Sequence, residues 1–130
     1  MKFIVVQRIF TVVFIIILIL LFTLPCSLIH STYNDVVTDI DGALSALDED
    51  NFELAAHHAG KINELLSERS PKIKWFVNHG VVNEAVLEAV LAEKMCILED
   101  REAAVAAFIA LKSALNALDD IEYFDFNTFL

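Results

Sequence analysis

Residues 9–29 read IFTVVFIIILILLFTLPCSLI, twenty-one in a row without a charged side chain. A helix rises about 1.5 Å per residue, so the run covers roughly 31 Å, close to the hydrocarbon thickness of a bilayer. It predicts an N-terminal transmembrane helix. It also accounts for a 57% hydrophobic composition and a mean hydropathy of +0.59, which are high for an ordinary soluble domain.

The flanking charges give an orientation. Lys2 and Arg8 precede the run and no Lys or Arg follows it until Lys61, so the positive-inside tendency puts the N-terminal side in the cytoplasm and the rest outside. A cleaved secretory signal would have a shorter apolar core and small residues at the cleavage site. A lipoprotein signal would have a small residue before the modified cysteine, where this chain has Pro25 before Cys26. The expectation is an uncleaved signal anchor over residues 1–30 and an extracytoplasmic domain over residues 31–130, held at the cell membrane as a single-pass protein.

All nineteen acidic residues but only seven of the nine basic ones follow residue 30, a net charge of −12 for the outer part. A surface so acidic repels phosphate backbones, so nucleic acid is not expected as a partner, and anionic lipid headgroups are poor ones. Two cysteines, Cys26 and Cys96, are too few for a disulfide framework and read as small hydrophobes.

Three glycines and two prolines leave few turn signals, and the apolar spacing is helical throughout. The predicted fold class is all-α: the transmembrane helix followed by a small antiparallel helical bundle of about four outer helices. Val36, Ile40, Leu44 and Leu47 mark a first outer helix over about 33–47, able to continue the membrane helix past a kink at Pro25. Asn51 caps a second over about 52–69, with Phe52, Ala55, Ala56, Ala59, Ile62 and Leu66 on one face. Ser70 and Pro71 read as the cap and first position of a third helix reaching about Leu98, roughly 28 residues long and expected at the centre of the core. Glu99 and Asp100 open a fourth, striped by Ala104, Phe108, Leu111, Leu115 and Leu118. A faint echo at an offset of 51 relates LDEDNFELAAHHAGK to LEDREAAVAAFIALK and suggests two helical hairpins packed together.

Polar and aromatic residues of the kind that make sites concentrate in KWFVNHGVVNE, residues 74–84. At helical spacing Trp75, His79, Val82, Val86 and Val90 form one stripe, so His79 is expected in the core with Asn83 one turn on as a partner. The functional alternative makes His79 and Trp75 the lining of a ligand pocket or a pH-sensing site. His57 and His58 project about 100° apart and read as solvated surface. Asp48, Glu49 and Asp50 lack the glycine and terminal Glu of a calcium loop. Glu84 and Glu88, spaced i and i+4, read as an exposed face.

The chain resembles an uncharacterised family of short, single-anchor helical membrane proteins from Gram-positive, often spore-forming bacteria, catalogued as a domain of unknown function. Trp75, Asn78 with His79, and the terminal Phe126, Asn127, Thr128, Phe129 and Leu130 are the matching positions. The resemblance implies an N-terminal hydrophobic helix and a regular two-helix tail, and it implies no activity.

Neither a zinc spacing, a phosphate loop nor a nucleophile elbow occurs, so no cofactor is expected and an enzyme is not expected. The expected function is that of a non-enzymatic envelope protein whose acidic bundle binds another envelope protein through a helix groove or its aromatic tail, with Trp75, His79, Asn83, Phe126 and Phe129 as candidate contacts. The alternative is a small-ligand or metal-responsive bundle with its pocket near Trp75 and His79. Homo-oligomerisation through the apolar surplus of the third helix is a further expectation.

Overall fold

A computed structural model of the chain describes the backbone of residues 2–75 and 77–129, with the side chains of Pro25 and of residues 120–129 outside the description. The described residues form four helices and no strand: α1 (Lys2–Asp48), α2 (Phe52–Ile73), α3 (His79–Ile97) and α4 (Arg101–Phe129). The all-α expectation holds.

Helix α1 is 47 residues long, about 70 Å, and runs unbroken through Pro25. It has two parts. From Lys2 to Leu24 every residue is exposed, including the sixteen uncharged positions after Arg8, and the helix begins to meet the bundle only near Cys26 and Leu28. From Ile29 onward the helix packs, burying Ile29, Thr32, Val36, Ile40, Ala43, Ala46 and Leu47. The first outer helix is therefore the second half of the apolar one.

Contacts between helices close a ring in which α1 touches α2 and α4, and α3 touches α2 and α4. Asp35 meets Arg69 and Asp39 meets His58, while Tyr33 meets Asn116 and Asp41 meets Lys112. Rising numbers on α1 meet falling numbers on α2 and α4, so these pairs run antiparallel. The expectation that the third helix lies at the centre of the core is corrected: α3 is one corner of four.

Two distal turns share one geometry. Asp50 and Glu99 both adopt left-handed backbone, with φ of 55° and 57°. The next residue's N–H then donates far back, Asn51 to the Ala46 carbonyl at 2.8 Å and Asp100 to the Met95 carbonyl at 3.0 Å, which satisfies carbonyls orphaned at each helix end. Asn51 and Asp100 in turn cap the following helices, accepting from the N–H of Leu54 and of Ala103, both at 3.2 Å. The correspondence is an offset of 49 and not the 51 suggested by the sequence echo, since 50 maps to 99 and 51 to 100.

The same offset carries through the core. It pairs Ala55 with Ala104, Ala59 with Phe108, Ile62 with Leu111 and Leu66 with Leu115, all buried. On the other two helices Val36, Ile40, Ala43 and Leu47 map to Ala85, Ala89, Ala92 and Cys96, all buried as well. Two hairpins with one burial register make the bundle, and the inner face of α3 is by far the smaller in volume.

The boundary between α2 and α3 differs from expectation. Ser70 and Pro71 do not restart the chain, because α2 continues through Pro71 to Ile73. Proline removes one donor and crowds the preceding turn, but Ser70 and Ile73 are both buried and their packing carries the helix on for one more turn. The break comes at Lys74–Asn78 instead. Asn78 caps α3, its side-chain oxygen accepting from the Gly80 N–H at 2.8 Å.

Candidate interaction surface

The shift of that boundary moves the residues singled out in the sequence. Trp75 falls in the turn between α2 and α3 and is 84% exposed. His79 is the first residue of α3 and is exposed, as is Asn83 one turn later. The expectation of a core stripe through Trp75 and His79 is overturned: of its five members only Val82 is buried, Val86 is half-buried and Val90 is exposed. The physical reason is register. Once α3 begins at His79, its inner face is set by Val82, Ala85, Ala89, Ala92 and Cys96, spaced alternately by three and four.

Phe126 and Phe129 belong to a helical backbone that continues past Leu118, the last buried residue of α4, and their side chains lie outside the described residues.

What lies opposite the inner face of α3 was not singled out in the sequence. Leu87, Val90, Leu91, Ile97 and Leu98 are between 40% and 67% exposed. At 100° per residue Leu87, Leu91 and Leu98 fall within about 40° of one another, with Lys94 among them and with Val90 and Ile97 at one edge. His79 and Asn83 lie along that same edge, nearer the start of the helix. The outward strip therefore joins two of the predicted contacts to five that were missed, over about 30 Å of helix.

The strip is an inversion of the ordinary pattern. In α3 the alanines and one cysteine face the core, and the leucines, with a valine and an isoleucine, face outward. The signal was legible as an apolar arc too wide for one neighbour, but which side of the arc would be covered depended on where the helix starts.

Polar contacts tie the helices together elsewhere in the bundle. Arg69 donates to Asp35 at 2.9 Å and to the Thr32 hydroxyl at 3.3 Å, while Thr32 donates to the Leu28 carbonyl at 2.7 Å. Asn63 donates to the Ala89 carbonyl at 3.1 Å and to Glu93 at 2.6 Å, joining α2 to α3. His58, expected as solvated surface, is half-buried with its Nδ1 3.0 Å from Asp39 and its ring over Gly42. His57 is exposed. Burial, and then the negative charge of Glu93, hold the Cys96 thiol above its ordinary pKa.

A small cavity lies between all four helices near the α2–α3 turn, bounded by Ile29, Leu66, Ile73, Val82, Leu115 and Leu118 among others. Its volume is about 10 Å³, room for a single water at most. Trp75 and His79 do not line it. Among the described residues no three His, Cys, Asp or Glu side chains converge as a metal centre would require.

No protein-family profile, curated protein or solved structure matches the chain.

Proposed function

We propose that the protein is a non-enzymatic, single-pass membrane protein whose helical bundle binds another envelope protein through the outward strip of α3. The observation that carries the reading is the inversion in that helix, with Leu87, Val90, Leu91, Ile97 and Leu98 outside and Ala85, Ala89 and Ala92 inside. Fully burying one such large apolar side chain is worth about 1.5–3 kcal/mol, so a strip of five represents a large unused driving force for association. An apolar helix from a partner, laid along the strip, would use it.

The membrane part rests on α1, the one helix among the described residues long and apolar enough to cross a bilayer. Lys2 and Arg8 favour a cytoplasmic N-terminal side and an extracytoplasmic bundle.

The test places a photoreactive residue at Leu91 and, as a control, at the exposed Ser67 of α2 in the full chain in intact cells. The expected result is an adduct of one discrete mass from Leu91 and none from Ser67, lost when Leu87→Glu is added. Only uncrosslinked monomer at Leu91 refutes the reading. An adduct of twice the monomer mass replaces the partner with a second copy of the chain.

A further inference from the structure

The end of the bundle that holds the α2–α3 turn is the end from which the exposed half of α1 emerges. Ile29 of α1 and Ile73 of α2 border the same small cavity, so they stand at one level. Because α2 runs antiparallel to α1, Lys74 and Trp75 lie beyond that level, toward the apolar run. With Arg8 at its cytoplasmic edge, a hydrocarbon crossing of about twenty residues extends from Ile9 to about Leu28. Ile29, the first residue of the bundle's apolar core, then stands at the membrane boundary.

A headgroup layer is roughly 5–8 Å thick on each side of the hydrocarbon. A turn that projects past Ile73 enters it. The residue presented there is the chain's single tryptophan, 84% exposed, flanked by Lys72 and Lys74. Among the described residues nothing covers this indole. Tryptophan prefers the interfacial layer, where its ring meets the acyl boundary and its N–H meets water, and lysine stems reach along apolar surface while the ammonium stays at the headgroups.

Part of the acidity of the outer domain is remote from this turn. Asp48, Glu49, Asp50, Glu53, Glu99, Asp100 and Glu102 all belong to the distal turns or the helix starts beside them. That is the length of α2 away, about 33 Å and several screening lengths. At the membrane end Asp35 is paired with Arg69, and Asp119 lies 3.7 Å from His30; Glu68, Glu84 and, further along α4, Asp120, Glu122 and Asp125 outnumber Lys72, Lys74 and His79, so the contact rests on the indole in the interfacial layer and not on net charge.

We infer that the α2–α3 turn is a second membrane contact, in which Trp75 inserts into the headgroup layer of the bilayer that α1 crosses and thereby holds the bundle upright on the surface. The inference rests on the reading of α1 as a membrane span, and the experiment separates the two. The full chain is reconstituted into phosphatidylcholine vesicles containing a minority of phosphatidylglycerol, with lipids brominated either near the headgroup or near the chain end. Three single-tryptophan proteins are compared: the native chain, Trp75→Phe with Ile15→Trp, and Trp75→Phe with Leu54→Trp, the last placing the probe at the exposed distal start of α2. Circular dichroism confirms equal helix content in all three.

The expected result is an about twofold loss of Trp75 emission with bromine near the headgroup and less with bromine at the chain end, as an interfacial indole requires. Ile15→Trp should show the reverse depth order, and Leu54→Trp should be quenched by aqueous acrylamide alone. If Trp75 behaves like the Leu54→Trp probe while Ile15→Trp is quenched by bromolipid, the inference is overturned and the membrane span stands. If Ile15→Trp is also untouched by bromolipid, the span falls and the inference falls with it.

Discussion

Gly42 offers a test in which two effects of similar size oppose each other. It lies within α1 in the packed half, and a Cβ added there would stand 2.8 Å from His58 Cε1 and 2.9 Å from Nε2. Non-bonded heavy atoms prefer about 3.5–4 Å, so the ring must swing away. Its movement breaks the contact with Asp39 at 3.0 Å, and a hydrogen bond of this kind is worth about 0.5–1.5 kcal/mol. Against that, replacing glycine by alanine inside a helix gains about 1 kcal/mol. Gly42→Ala should therefore change stability by no more than about 0.5 kcal/mol in either direction, the difference of those two magnitudes. With His58→Ala already in place the obstruction is gone, and Gly42→Ala should then stabilise by the full amount, about 1 kcal/mol. Thermal unfolding of the full chain in detergent, followed by circular dichroism, reads that as roughly 4–8 °C in Tm for a bundle of this size. An equal rise in both backgrounds would mean that His58 does not occupy the space above Gly42.

Asn78→Ala should destabilise the bundle by about 1 kcal/mol, the usual worth of an N-cap, and lower Tm in the same assay; an unchanged Tm would place the start of α3 elsewhere. Cys96 should resist maleimide in the folded protein. Its raised pKa keeps it protonated, so in a Cys26→Ser chain labelling near neutral pH should be much slower before denaturation than after, and equal rates would refute the burial of the thiol. The sign for stability follows from the same shift: the fold favours the protonated thiol, so its contribution is complete below the ordinary value of 9.0 and declines as pH rises above it.

The parts of the fold that were legible are those fixed by local pattern. The apolar run, the acidic turn before Asn51 and the stripe Ala104, Phe108, Leu111, Leu115 and Leu118 all stand where periodicity put them, and that stripe is buried throughout. What failed was one decision between two plausible helix boundaries. Ser70 with Pro71 is the stronger local signal, but the burial of Ser70 and Ile73 belongs to contacts with other helices, which periodicity along one helix does not contain. That one boundary carried Trp75 and His79 from the expected core to the surface. His58 was missed for a related reason, since its partners Asp39 and Gly42 come from another helix and only the antiparallel pairing of α1 and α2 brings them together.

The repeat at an offset of 49 also sharpens what α3 is for. Equivalent inner positions on α1 and α3 hold unequal side chains, Val36 against Ala85, Ile40 against Ala89 and Leu47 against Cys96. A close-packed interior accepts this, because large residues on one wall leave room for only small ones on the opposite wall. Packing therefore accounts for the alanines of α3. It does not account for Leu87, Leu91 and Leu98 on the far side, because exposed helix positions are satisfied by any polar residue of good helix propensity, and Glu84 and Lys94 on the same helix show such residues in use. These are the large apolar side chains that the partner surface proposed along α3 would cover.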